Sequence, residues 1–247
     1  MKRHYTEKYL INPSHKVTIA VIGIGGTGTQ VLSCLLRMNE ALIGIGHPGI
    51  HVIAYDHDIV TASNIGRQLF TNVDIGLNKA VVMISRINRF MGYEWEAVPS
   101  KYTGFPTNII ISCVDTAAAR FEIAKIAKSL NHTPTKKIFY WLDFGNNKTN
   151  GQFVLGTYQK IEQPNSEFET IEQLPSIIKR FKLNKREKDT GPSCSIAQAL
   201  GKQDLFINST LANLGCDLLW KLFKNAFIDY AGGFLNLESN KFNSIKL

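Results

Sequence analysis

Val17-Thr-Ile-Ala-Val-Ile-Gly-Ile-Gly-Gly-Thr-Gly28 joins a continuous apolar run to a cluster of glycines. The run VTIAVI (17–22) is rich in β-branched residues and does not alternate with polar ones. That pattern marks a strand buried on both faces. Behind the glycines, Val31, Leu32, Leu35 and Met38 recur at helical spacing. Strand, glycine turn and helix, in that order, put backbone N–H groups and a helix N-terminus where a phosphate can meet them. A turn made only for packing reads the same way, so the surroundings must decide.

Outward from this unit, strands and helices alternate. HVIAY (51–55), IIISCV (109–114) and IFYWL (138–142) read as strands. Between them, residues 78–90 carry Ala80, Met83, Ile84 and Ile87 at helix period, and a second helix is predicted through 117–130. The expected fold is α/β, Rossmann-like and doubly wound, with a mostly parallel sheet. Residues 152–158 then follow a short Gly/Asn turn, which implies an antiparallel extension. Residues 159–193 are polar and segmented by charge. They read as a long, mobile crossover loop holding one short helix at 171–181. Leu211, Leu214, Leu218 and Leu222 mark a last long helix over 207–227, and 233–237 an edge strand. Residues 1–16 read as polar and irregular. Residues 1–247 are expected to form one domain.

Composition narrows the function. The chain has 247 residues, 44% hydrophobic and 19% charged, which fits a folded domain with a full core and excludes a disordered chain. Its apolar runs are too short and glycine-broken for a membrane span, and no leader pattern opens the chain. The expected location is the cytoplasm. The net charge is +8, but six of the 28 basic residues fall within Lys179–Lys188. A local excess of this kind argues against a nucleic-acid partner. Cys34, Cys113, Cys194 and Cys216 show no C-x-x-C pairing, so neither a structural zinc site nor a disulfide framework is expected. Cys34, Cys113 and Cys216 read as core residues.

Asp56 ends the second strand, where a carboxylate accepts hydrogen bonds from ribose hydroxyls. Beyond it the chain departs from a hydride-transferring dehydrogenase. Asp56-His-Asp58-Ile-Val runs into Ser63-Asn64-Ile-Gly-Arg67-Gln68, followed by Gly76-Leu-Asn-Lys79-Ala80 and Cys113-Val-Asp115-Thr-Ala-Ala-Ala-Arg120. Arg67 and Lys79 near one sheet edge suit the charge of a triphosphate. Asp115 follows a strand at the carboxyl edge, a position able to hold Mg2+ and equally able to cap the next helix. Asp58 reads as a turn or cap residue, and Arg120 as an internal ion-pair partner.

These blocks resemble the ThiF/MoeB and ubiquitin-activating superfamily, whose pattern is G-x-G-G-x-G, D-x-D-x-V-x-x-S-N-x-x-R-Q, G-x-x-K and D-x-x-x-x-R. All four stand here in order. Residues 47–70 and 191–208 resemble in particular the ThiF-like proteins of PRTRC gene cassettes. The resemblance implies ATP and Mg2+ as cofactors, a homodimer, and adenylation of the C-terminal carboxylate of a small ubiquitin-like or sulfur-carrier protein. It implies that Gly23, Gly25, Gly26 and Gly28 line the nucleotide, Asp56 binds the ribose, Asn64 and Arg67 contact phosphates, Lys79 the triphosphate, and Asp115 organises the metal. The apolar last helix, with Trp220 and Phe223, is the expected dimer surface. The sequence departs from the family in lacking its R-Y-x-R-Q helix, from which an arginine reaches the partner's ATP. Arg3 is the one arginine before residue 37.

Cys194 follows Gly191-Pro192-Ser193 beside the basic stretch and ahead of a helix predicted near Ile196. A helix N-terminus and neighbouring cations favour a thiolate there. Pro-Ser-Cys-Ser also resembles the P-x-C-T segment that carries the acceptor cysteine in eukaryotic ubiquitin activators. The alternative is a packed loop cysteine. Two other functions stay open: an NAD(P)-dependent oxidoreductase on the same fold, and a catalytically reduced nucleotide-binding or scaffold protein.

Overall fold

The computed structural model describes residues 2–130, 137–181, 183, 201 and 203–247. The chain opens with β1 (Lys2–Tyr5) and a single helical turn, α1 (Lys8–Ile11). The first α/β units are β2 (Val17–Ile22), α2 (Gly26–Gly44), β3 (Ile50–Tyr55), α3 (Lys79–Met91) and β4 (Glu96–Val98). Next come β5 (Ile109–Ser112), α4 (Ala117–Leu130), β6 (Tyr140–Asn146), β7 (Asn150–Thr157), β8 (Glu169–Thr170) and α5 (Ile177–Phe181). A long helix, α6 (Ile207–Asn225), precedes β9 (Phe227–Ile228), β10 (Tyr230–Asn236) and β11 (Lys241–Lys246).

Eight strands form the central sheet in the order β11-β10-β7-β6-β5-β2-β3-β4. From β6 to β4 the pairs are parallel, whereas β7, β10 and β11 add on antiparallel. Successive β2 residues point to opposite faces. Val17, Ile19 and Val21 pack with α2, α3 and α6, while Ala20 and Ile22 pack with α4 and α5. Helices on both faces explain why β2 has no polar alternation. The doubly wound reading therefore holds, antiparallel extension included.

β2 lies between β3 and β5. The chain leaves β2 toward one edge, then reverses to build the other side of the sheet. Such a reversal opens a crevice at the carboxyl ends of the two middle strands, the usual ligand position in open α/β sheets. The glycine turn sits at that end of β2.

Three expectations need correction, and two strands are additional. Residues 1–16 are not irregular: β1 pairs with β8 on one side and β9 on the other, forming a small second sheet. The helix expected over 171–181 is confined to Ile177–Phe181, because Pro175 biases Leu174 away from helix. β4 and β11 were not anticipated. β11 is an exposed edge strand with only Ile245 buried, so it carries no apolar alternation to read. Phe223, expected on a dimer surface, is buried within the chain and meets His47 edge-to-face.

Among the described residues, no helix is long and apolar enough to cross a membrane.

Candidate functional site

The turn after β2 is held by close backbone contact. Gly23 adopts φ +88°, and a Cβ there would lie 2.8 Å from the Cys113 carbonyl oxygen at the end of the neighbouring strand. A Cβ at Gly28 would lie 1.9 Å from the Gly23 carbonyl oxygen. Both positions therefore require glycine. At Gly26 the added atom would meet the Asn208 side chain of α6 at 2.7 Å. Gly25 differs: among the described residues nothing lies within 4 Å of its ideal Cβ, which leaves room for a ligand at this point.

Two chains of side-chain contacts converge on the turn. The first comes from the β3 edge. Asp56 accepts a hydrogen bond from the Ile24 N–H at 2.5 Å and from the Asp58 N–H at 2.8 Å. Asn78 caps α3 by accepting from the Val81 N–H, and its amide donates to the Asp56 carbonyl at 2.9 Å. That bond pins the start of α3 to the 56–58 segment. It positions Lys79, whose Nζ reaches Asp58 Oδ2 at 3.0 Å. Burial raises the Asp56 pKa, and the two N–H donors and the Lys79 charge oppose that rise. Asp58 is thus more than a turn residue, because it is the counter-ion that holds Lys79 in place.

The second chain starts at Thr27, whose hydroxyl donates to Asn208 Oδ1 at 2.9 Å. Asn208 Nδ2 donates to Gln203 Oε1 at 3.5 Å, and Arg67 Nη1 donates to the same oxygen. Arg67 Nε is buried and has no hydrogen-bond partner among the described residues. Burial lowers the Arg67 pKa, while the negative charge of Asp115 raises it. A guanidinium held this way, with one buried donor unmatched, is suited to an anion.

Asp115 is exposed just beyond β5. It is not the cap of α4: the Thr116 hydroxyl accepts from the Ala119 N–H at 3.2 Å and takes that role. Asn64 is buried, and its Oδ1 accepts from the Thr61 N–H at 2.8 Å and the Thr61 hydroxyl at 3.1 Å. With that oxygen committed to the local turn, its Nδ2 donors are the part able to meet an anion.

Arg120 is the internal partner expected from the sequence. Its Nε lies 2.9 Å from Asp143 Oδ1, and its Nη2 donates to the Phe144 carbonyl at 2.8 Å. Ser112, at the end of β5, donates to Asp143 at 2.5 Å and accepts from Trp141 Nε1 at 2.6 Å. This buried network fixes the strand end from which Cys113 and Asp115 emerge.

Arg3 is turned inward. It makes two hydrogen bonds to Asp229, at 2.8 and 3.2 Å, and its guanidinium lies between the rings of Phe168 and Phe227. Cys194 falls outside the described residues, as does most of Lys179–Lys188. Thr27, Gln203 and Asn208 were not singled out from sequence. Their contacts span up to 181 residues, and no local pattern announces them.

The family model described as ThiF family matches residues 12–246. The ubiquitin-like modifier-activating enzyme 5 of Arabidopsis thaliana is 26% identical over 152 residues, covering 52% of this chain and 32% of that protein. The enzyme of the same name from Drosophila willistoni is 29% identical over 127 residues, covering 43% and 29%. Among solved structures, E. coli MccB with ATP superposes with a TM-score of 0.58 at 16% identity, covering 96% of this chain and 64% of that one. PaaA gives 0.57 at 17%, covering 93% and 64%. At such identities the structural likeness shows the fold alone. The chain spans about a third of the length of the curated relatives and just under two thirds of these structural neighbours. The glycine turn, the cations around it and a family match over nearly the whole length agree: the chain belongs to the ThiF family.

Proposed function

We propose that this protein binds ATP across Gly23–Gly28 and adenylates the C-terminal carboxylate of a small ubiquitin-like or sulfur-carrier protein. The observation that carries this reading is the convergence of the Lys79–Asp58–Asp56 and Arg67–Gln203–Asn208–Thr27 contacts on one glycine turn. An attacking carboxylate and a triphosphate repel each other, so fixed cations must spread the charge. Arg67 and Lys79 supply them. Asp56 takes the ribose, and Asn64 offers its Nδ2 to a phosphate. A carboxylate oxygen of the carrier bonds to the α-phosphorus, the bond to the β-phosphate bridge breaks, and pyrophosphate leaves with the electron pair. Asp115, exposed and in the field of Arg67, would hold Mg2+, which neutralises phosphate charge when bound.

Cys194 is proposed to accept the acyl group, forming a thioester as AMP departs. The basic stretch Lys179–Lys188 is proposed to steer an acidic face of the carrier, within the cytoplasm. We further propose a homodimer. Phe223 does not serve it, but Ile59, Val73, Ile75, Leu77 and Val81, all between residues 59 and 81, are 40–84% exposed and offer apolar surface. Membership of the PRTRC subgroup would place gene and carrier in one cassette.

ATP–pyrophosphate exchange tests the reading. Exchange that requires a carrier ending in a free carboxylate supports adenylation. Nicotinamide binding without exchange would support the oxidoreductase. Neither would leave a scaffold of the same fold, a reading favoured by one observation: Arg3 is engaged by Asp229, Phe168 and Phe227 of its own chain. A thiol-sensitive carrier adduct that Cys194→Ser abolishes, with exchange intact, would support the thioester step.

A further inference from the structure

Cys34 and Cys216 meet across the seam between α2 and α6, and the proposed reaction uses neither. Both helices set out from the glycine turn. Thr27 is bonded to Asn208 at their starts. Two turns further on, the Cys34 thiol contacts Asn213 Oδ1 at 3.6 Å, and Arg37 Nη2 donates to that oxygen at 3.0 Å. Cys216 is buried one turn beyond Asn213 on the same helix, and the Cys34 and Cys216 thiols shift each other's ionisation. Two buried thiols from helices far apart in sequence are thus brought to the same stretch of the seam.

The two are not equivalent. Cys34 lies at the rim, with Arg37 Nη2 3.4 Å from its sulfur. The neighbouring Cys216 thiol and the Arg37 guanidinium lower the Cys34 pKa, against the effect of burial. Cys216 lies deeper and is pushed up by the Cys34 thiol and by burial, with Cys113 adding to the rise from the β5 side. Arg37 is the charged group facing the pair, and Asn213 is neutral. Arg37 favours the thiolate on Cys34, and deeper burial favours the protonated thiol on Cys216. That is the division of labour between an attacking and a resolving cysteine.

We propose that Cys34 and Cys216 form a reversible, peroxide-responsive disulfide that locks α2 to α6 behind the glycine turn. The Cys34 thiolate attacks one oxygen of hydrogen peroxide. The O–O bond breaks, the other oxygen leaves as hydroxide, and Cys34 becomes a sulfenic acid. Cys216 then gives up its proton and attacks the Cys34 sulfur. The S–O bond breaks, and the proton and departing hydroxide leave as water. Overall two thiols and one peroxide give one disulfide and two waters, with the peroxide accepting two electrons. The sulfurs must close to about 2.05 Å, which the two packed helices have to accommodate at this point of the seam. Because the Thr27–Asn208 bond lies on the same seam, the disulfide stiffens the turn.

The test needs neither nucleotide nor carrier, so its failure leaves the adenylation proposal standing. The full chain is treated with hydrogen peroxide at pH 7, quenched, alkylated under denaturing conditions and peptide-mapped. The expected product joins the Cys34 and Cys216 peptides, and dithiothreitol reverses it. Cys34→Ser should remove the crosslink and leave Cys216 reduced. Cys216→Ser should accumulate a trappable sulfenic acid on Cys34. Arg37 is exposed, so Arg37→Gln should fold and should slow crosslinking at pH 7 by about three- to tenfold as the thiolate fraction falls. The proposal is overturned if both thiols remain alkylatable. It is equally overturned if Cys34 goes on to sulfinic acid with Cys216 untouched, or if Arg37→Gln leaves the rate unchanged.

Discussion

Replacing Arg120 by Met tests the buried network beneath the site. The Arg120 and Asp143 side chains are 7% and 1% exposed. The substitution removes the bonds to both Asp143 oxygens, at 2.9 and 3.0 Å, and the bond to the Phe144 carbonyl. Asp143 is left with the Ser112 hydroxyl. Removing one partner of a buried pair costs about 3–5 kcal/mol. At about 2–4 °C per kcal/mol for a chain of this size, the melting temperature should fall by about 6–20 °C. The loss should also depend on pH. Burial pushes the Asp143 pKa up to about 6 from 3.8, against the pull of Arg120. Because the folded-state value is the higher, the folded chain holds the extra proton in between. This group's contribution is greatest below about pH 4 and is lost as pH rises through about 6. Without Arg120 the carboxyl titrates higher still, so the decline should extend further toward neutral pH. Urea unfolding from pH 4 to 8 reads both effects. Adding Asp143→Leu should recover most of the stability, since no buried charge then remains. A loss under about 1 kcal/mol in the single variant, or no recovery in the double, would refute the assignment.

Arg67→Ala removes a cation facing the reacting phosphates. It should slow carrier-dependent exchange about 10²–10³-fold, or about 2–4 kcal/mol in barrier, with little change in melting temperature; unaltered exchange in an active preparation would exclude that role. Gly28→Ala drives a Cβ into the Gly23 carbonyl and should destabilise the fold, whereas Gly25→Ala points into open space and should cost at most about 1 kcal/mol while weakening ATP binding. Calorimetry and ATP titration on the pair separate the two. Asp115→Asn should reduce Mg2+-dependent turnover and spare stability, since Thr116 already caps α4; equal losses in both would count against a metal role.

The parts of this fold that show in the sequence are those with local causes. β2 reads as a central strand because both its faces are buried, so VTIAVI shows no alternation with polar residues. α6 reads as a helix because Leu211, Leu218 and Leu222 repeat on one buried face. β1 and β8 carry no such mark, being short, largely polar, and formed only because residues 167 positions apart pair. The site divides in the same way. The glycine turn and Asp56 follow from strand-turn-helix order. The placing of Lys79 by Asp58, and of Arg67 by Gln203, comes from tertiary contacts that no spacing encodes. Asp115 and Thr116 are neighbours equally able to cap a helix, and only the hydrogen bond to Ala119 shows which does so.

The central claim, that a carrier carboxylate attacks the α-phosphate of ATP, is tested most directly by isotope transfer. A carrier labelled with oxygen-18 in its C-terminal carboxylate is incubated with the protein, ATP, Mg2+ and a thiol acceptor, and the released AMP and pyrophosphate are analysed by mass spectrometry. Attack by the carboxylate leaves one of its oxygens on phosphorus, so the account predicts one oxygen-18 in AMP and none in pyrophosphate. Unlabelled AMP formed in step with carrier consumption would contradict it.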